Sequence, residues 1–286
     1  MGLVYILSIV LNVLFVAVEA GVGFWSGSLG LLSDAGHNLG DVFSLLLALV
    51  AFRLALTHGN SRFTYGYRKA SVLISLLNAI ILLVAVGAIV IESIHKFSDL
   101  PGTVLNARAI SWTAGIGILV NGFTTWLLSR GQSHDINARG AFLHMLADTL
   151  VSVGVVLSGI LIQYTGWVVV DPIVSLVIAV IILVTAWKLL AESFRMSIDA
   201  VPSEIDPDEI RDLMAAEPGV LELHHLHIWP ISTTQVALTA HLVVEDLSQM
   251  QDIVHSLKHK LAEEGIAHCT LETETPGAPC PDHDCS

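Results

Sequence analysis

Six runs of about twenty apolar residues govern what this chain can fold into, because the hydrocarbon core of a bilayer, about 30 Å thick, is crossed by a helix of that length. The runs cover residues 3–25, 29–52, 70–94, 107–128, 139–163 and 167–190. Composition agrees with them: 53% of the 286 residues are apolar, 14% are charged and the mean hydropathy is +0.71. A soluble enzyme domain carries nearer a quarter of its residues as charges, and a disordered chain has far fewer apolar ones. The sequence therefore predicts a multi-pass α-helical membrane protein with six transmembrane helices and both termini on one side.

Cations say which side. The connections near 26–28 and 163–167 are uncharged, and the segment between the third and fourth runs offers only Lys96 and Arg108. Arg53, Arg62, Arg68, Lys69, Arg130, Arg139, Lys188 and Arg195 all fall on the opposite face. That imbalance follows the positive-inside rule and predicts cytoplasmic termini. The first run lacks the cationic start and small-residue cleavage site of a secretory leader, so it is read as a span. Met1-Gly2 is not followed by the Ser or Thr that myristoylation requires.

The charge distribution divides the chain again. Residues 1–198 carry ten Lys/Arg against nine Asp/Glu, whereas residues 199–286 carry three against seventeen, a net −14. An acidic domain thus follows a nearly neutral apolar body, with expected boundaries at 1–195, 196–275 and a loose end at 276–286. A nucleic-acid partner would demand the opposite sign. Within 196–275, Asp206-Pro207 is a helix start. Residues 220–229 and 235–245 read as a hairpin, Met250, Ile253, Val254, Leu257 and Leu261 repeat at helical spacing, and 267–274 is a third strand. The predicted order is αββαβ, an α+β domain. Cys269, Cys280 and Cys285 are too few for a disulfide framework and fit a reducing compartment.

Ionisable groups inside spans cost about 2.5–3.5 kcal/mol each at the bilayer centre, so each needs a reason. His37 and Asp41 in the second run, and His144 and Asp148 in the fifth, repeat one pattern, HxxxD. Residues four apart share a helix face, so each span offers an imidazole and a carboxylate pointing one way. Two such faces supply four ligands, enough for tetrahedral zinc at roughly 2.0–2.2 Å. Two aspartates cancel the ion's charge; without it, desolvation drives the carboxylates to take up protons. Competition of protons and metal for one set of ligands is a physical basis for antiport. Asp34 lies one turn before His37 as a pathway or entry residue, and Asp171-Pro172 opens the sixth run with Asp as its cap. Asn12, Glu19, Asn78 and Asn121 are expected to hydrogen-bond between helices.

The two HxxxD pairs, the Ser33-Asp34-Ala35-Gly36-His37 context, the Tyr65-Gly66-Tyr67-Arg68-Lys69 run and Leu226-His227-Ile228-Trp229 resemble the cation diffusion facilitators, most closely their zinc-transporting branch. The resemblance implies a homodimer of six-span protomers with a ferredoxin-like cytoplasmic domain, exporting zinc against inward protons by alternating access. It also implies His37, Asp41, His144 and Asp148 as transport ligands. Some family members carry a second zinc site between spans two and three; here His58 is followed by Phe63 and Tyr67 where histidines would fall, and that site is not expected. The short connection 130–139 lacks a His-rich loop, which points to a prokaryotic plasma membrane.

Eight histidines lie in the acidic domain. His227 and His241 sit on adjacent strand candidates and His268 on the third, so a strand-based cluster completed by Glu274 is a candidate zinc site. The resemblance supports these four as a regulatory site near the dimer contact. His255 and His259 fall on a polar helix face. Cys280, His283 and Cys285 form a C-x2-H-x-C arrangement resembling the metal-catching tails of some relatives. Bound zinc would lower the repulsion between two acidic domains and draw them together.

Competing classes each leave something over. An intramembrane metallohydrolase needs an open coordination position and a base, whereas four ligands saturate zinc; the chain is therefore read as no enzyme. A membrane zinc sensor leaves the paired motifs unexplained. Export of cadmium, cobalt, iron or manganese in place of zinc is an alternative cargo for the same site.

Overall fold

The computed structural model describes residues 2–26, 29–98, 107–129, 135–167 and 169–277. In lipid every backbone N–H and C=O must be satisfied within the segment, which leaves helix as the outcome for long apolar runs. Among the described residues these runs form α1 (Gly2–Ser26), α2 (Leu29–Ala55), α3 (Arg68–Ser98), α4 (Ala107–Ser129), α5 (Ile136–Thr165) and α6 (Val170–Ser197). Four carry described stretches long and apolar enough to cross a membrane, Gly2–Val22, Asn38–Ala55, Arg68–His95 and Leu176–Ser197; Gly115–Ser129 is a shorter apolar helix. The sixth helix starts at Val170 behind Val169, so Asp171 lies inside its first turn and not at the cap expected for it.

Helix α1 packs along α2, α4 along α5 and α3 along α6, while α5 also touches α2 and α3. Two apolar clusters fill the bundle. One joins α3, α5 and α6 through Val72, Ala79, Leu82, Ala147, Ala186 and Leu189. The other joins α1, α2, α4 and α5 through Tyr5, Leu45, Ala48, Leu128, Ala141 and Met145. Alanines at these contacts let backbones approach closely, which favours helix association in lipid. Polar ties cross between helices: Asn12 Nδ2 donates to Thr124 Oγ1 at 3.1 Å, Asn38 Nδ2 to Glu19 Oε2 at 2.7 Å, and Ser75 pairs with Ser193 at 2.9 Å. Asn12 and Glu19 thus bond between helices as expected.

The C-terminal domain has the predicted order: α7 (Pro207–Ala215), β1 (Val220–Pro230), β2 (Val236–Val244), α8 (Met250–Glu263) and β3 (His268–Glu274). Asp206 caps α7, accepting from Asp208 N at 2.9 Å, with Pro207 at the first position. Strand β1 runs antiparallel to β2, closed by Ile231 N donating to Gln235 O at 2.8 Å; β3 returns by way of α8 to lie parallel to β2. Ile253, Leu257 and Leu261 of α8 pack on Leu238, Ala240 and Leu242, with Ile210 and Met214 of α7 joining them. Asp246 accepts from Ser248 Oγ and N just before α8, and these bonds hold its carboxyl below the ordinary range. Gly219 is at φ 91°, and a Cβ there would stand 2.8 Å from Ile253 Cδ1, so the α7–β1 turn requires glycine.

The hairpin turn docks beneath the bundle. Lys69, at the start of α3, donates to Met196 O at 2.9 Å and Pro230 O at 3.0 Å and pairs with Asp199. Arg68 reaches Gln235 Oε1 at 2.6 Å, Asn137 of α5 reaches Thr233 Oγ1 at 3.3 Å, and Thr233 N donates to Ser71 Oγ at 3.2 Å. Leu257 is wholly buried, so Leu257→Ala is expected to destabilise the C-terminal domain by about 2–5 kcal/mol. Thermal unfolding followed by tryptophan fluorescence of the detergent-solubilised protein checks this; an unchanged midpoint would refute the packing.

Candidate metal centres

Helices α2 and α5 meet where their carboxylates and imidazole lie. His144 and Asp148 share a face of α5 one turn apart, and Asp41 faces them from α2. His144 Nε2 is 2.8 Å from Asp41 Oδ1 and 3.9 Å from Asp148 Oδ2, and one ligand atom from each of the three lies within 4.8 Å of the others. All three are buried, Asp41 to 1% exposure. His37 stands one helical turn before Asp41 on α2; its side chain, like that of Asp34, is outside the described residues. The structure thus brings together three of the four residues proposed from sequence, as one imidazole and two carboxylates.

Asn38, buried between His37 and the following turn, is held by Glu19 across the α1–α2 contact. This bond fixes the rotation of α2 one turn from Asp41. Toward the C-terminal domain the bundle is filled by Tyr5, Leu45, Ala48, Leu128, Ala141 and Met145, each 1% exposed or less. The site is therefore packed shut on that side.

A second cluster sits on the sheet. His224, His241 and Glu274 place one ligand atom each within 4.8 Å of one another. His241 Nδ1 is 2.7 Å from Glu274 Oε1, and His224 Nε2 is 3.5 Å from Glu274 Oε2. Of the sequence candidates, His241 and Glu274 are here. His227 instead pairs with Thr239 and is exposed, and His268 turns its ring to Tyr65, edge-on at 5.5 Å. His224 takes part in place of them. The physical reason is register: the pairs Trp229↔Ala237 and His227↔Thr239 set His227 opposite Thr239, two residues short of His241. A turn known to close at Gln235 would have excluded His227, but nothing in the sequence marks the bulge that sets His224 opposite His241. Cys280, His283 and Cys285 lie outside the described residues. His259 is exposed on α8 near Glu263, at 3.6 Å.

In the loop between α2 and α3, the Phe63 and Tyr67 rings lie 4.8 Å apart, tilted by 38°, and Asn60 Oδ1 accepts from the backbone N–H groups of Arg62 and Phe63.

Two family models match the chain in tandem: the cation efflux transmembrane domain over residues 5–196 and the cation efflux protein cytoplasmic domain over residues 202–275. Relatives align along nearly the whole length. The cadmium, cobalt and zinc/H(+)-K(+) antiporter of Bacillus subtilis is 34% identical over 277 residues, covering 95% of this chain and 88% of the relative. Zinc transporter ZitB of Escherichia coli is 35% identical over 277 residues, covering 95% and 86%. Metal cation efflux system protein CzcD of Cupriavidus metallidurans is 32% identical over 272 residues, covering 94% and 85%. The six-helix bundle with its αββαβ domain belongs to a membrane transporter, not an enzyme. The chain is a member of the cation efflux family, the cation diffusion facilitators, and its similarity runs to their zinc-transporting branch.

If Asp41, His144 and Asp148 share a metal, zinc-edge anomalous scattering from zinc-soaked crystals gives a peak within coordination distance of all three, with His37 as the fourth donor. Density for zinc elsewhere in the bundle and none here would remove the assignment.

Proposed function

We propose that this protein exports zinc from the cytoplasm in exchange for protons, by alternating access at a tetrahedral site of His37, Asp41, His144 and Asp148. The observation that carries the reading is the 2.8 Å approach of His144 Nε2 to Asp41 Oδ1 in the buried centre of the bundle. Those two atoms share a proton at that distance, and the same atoms are the donors a divalent ion needs. Loading metal must expel the proton; readmitting protons must release metal. Two carboxylates leave the zinc-loaded site uncharged, which lowers the barrier to holding it in a low-dielectric interior. The names of the relatives support zinc as cargo and extend the range to cadmium and cobalt, whose ions accept the same donors.

On this reading the side of the bundle facing the C-terminal domain is the cytoplasm, the termini are cytoplasmic and the membrane is a plasma membrane. The apolar packing around Leu45 and Met145 is the barrier that must open for cytoplasmic loading. The protein works as a homodimer, and the domain cluster around His241 and Glu274 is a regulatory zinc site whose occupation lowers repulsion between two acidic domains.

Zinc accumulates in proteoliposomes under a pH gradient, and Asp41→Ala or Asp148→Ala lowers the rate to that of empty vesicles. Because protons compete for the ligands, apparent zinc affinity falls as the loading-side pH falls, by up to about tenfold per pH unit for each proton released. Uptake that persists in both variants, or that ignores pH, defeats the reading. For regulation, micromolar zinc is expected to reduce the radius of gyration of the full-length dimer in small-angle scattering, and an unchanged profile counts against it.

A further inference from the structure

Between the bundle and the C-terminal domain lies a cavity of about 1040 Å³ that the transport reading does not use. Its volume is that of a large small-molecule site, roughly 1,000 Å³. Cations line it from the bundle, Arg139 of α5 with Lys188 and Arg195 of α6. Carboxylates line it too, Asp135 and Glu192 beside those helices and Glu204 and Glu264 from the domain. Some of these charges are already engaged. Arg139 Nη1 donates to Glu192 Oε2 at 2.8 Å, and Asp135 Oδ1 accepts from Asn137 N at 2.9 Å. No described side chain pairs with Lys188, Arg195, Glu204 or Glu264. The cavity is therefore bipolar, with two open cations on its bundle wall and two open carboxylates on its domain wall.

Helix α6 shows what can reach it. Val177, Ile181, Val184, Lys188, Ala191 and Arg195 follow one another at alternating spacings of four and three, and all are exposed. That spacing keeps them on one stripe of the helix. The first half of the stripe is aliphatic, and the second half, Lys188, Ala191 and Arg195, is the cavity wall. The change falls beside Trp187, 63% exposed, a residue type that settles at the level of lipid headgroups. An acyl chain lying along Val177 to Val184 thus brings its phosphate to Lys188 and Arg195, two turns or ~10 Å apart along the axis. A purely anionic headgroup would meet the repulsion of Glu204 and Glu264 on the opposite wall. A headgroup carrying both phosphate and ammonium satisfies the two walls together.

We propose that this cavity binds a zwitterionic aminophospholipid of the phosphatidylethanolamine class, its phosphodiester at Lys188 and Arg195 and its ammonium at Glu204 and Glu264. Bound there, the lipid links α6 to the domain beside the hairpin turn, whose Thr234 also lines the cavity. The site is separate from both metal centres and does not depend on the zinc reading.

The test titrates the full-length, detergent-solubilised protein with dioleoylphosphatidylethanolamine and counts the lipids retained per chain by native mass spectrometry. Phosphatidylcholine, with the same phosphate but no N–H donors, and phosphatidylglycerol, with the phosphate but no ammonium, are the comparison probes. One phosphatidylethanolamine per chain is expected, held about tenfold more tightly than either. Lys188→Gln with Arg195→Gln should weaken it by about tenfold or more. Glu204→Gln with Glu264→Gln should erase the preference over phosphatidylglycerol. All four side chains are exposed, so the thermal midpoint without lipid is expected to stay within a few degrees in both variants. Equal retention of the three lipids, tighter binding of phosphatidylglycerol, or undiminished binding by the Lys188 and Arg195 variant overturns the proposal. So does a crosslink from Lys188 to a second copy in lipid-free protein, because protein and not lipid would then cover the wall.

Discussion

A charge in lipid must have a partner, and the bundle is arranged around that requirement. Asp41 is almost wholly buried, and its contact is the imidazole of His144 on a helix about one hundred residues away in sequence. The pair cannot stand apart: separating them leaves a carboxylate in a low-dielectric interior at a penalty of several kcal/mol. Contact between α2 and α5 is therefore enforced by electrostatics as well as by the packing of Leu45, Ala48 and Met145. A bundle of uniformly apolar helices would have no such preference, since lipid and leucine are equally apolar. The polar residues thus specify which helices meet, and the place where they meet is the site.

Fold and function were legible in the sequence to different depths, for physical reasons. Span length and hydropathy are collective properties of twenty residues, so the helices were predictable although their ends were not; α6 runs to Ser197 because soluble-phase backbone beyond the lipid can stay helical. The pairing of His144 with Asp148 was readable because helical periodicity alone puts positions four apart on one face. The sheet site was only half readable. His241 and Glu274 occupy the strands expected, but a register is decided by the turn and by a single bulge, and one inserted residue exchanges the faces of everything beyond it. That is why His224 and His227 traded places. The Glu19–Asn38 bond could be foreseen as an interhelical contact, although its partner could not.

The hairpin turn ties the two centres mechanically. Thr233 bonds both to Ser71 at the start of α3 and to Asn137, two turns before His144 on α5, while Arg68 and Lys69 hold Gln235 and Pro230. Strand β2 leaves this turn and carries His241. Any tilt of the domain that moves the turn must move the foot of α5 or break part-buried hydrogen bonds, each contributing about 1 kcal/mol. Such a junction is stiff enough to transmit a displacement and weak enough to exchange, which is what a regulatory contact between a sheet and a helix bundle requires.

The donor sets of the two centres differ in the way their surroundings demand. Inside the bundle, the proposed two imidazoles and two carboxylates would give a zinc complex without net charge, and carboxylates release metal readily to protons. On the sheet, the clustered donors are His224, His241 and Glu274, two imidazoles and one carboxylate, which would leave a bound zinc with a net positive charge. That excess would be prohibitive in lipid. It is tolerable here because residues 199–286 carry a net −14 and water lies close by. On the proposed reading one polypeptide would hold the same ion in two ways, one suited to letting go and one to holding on.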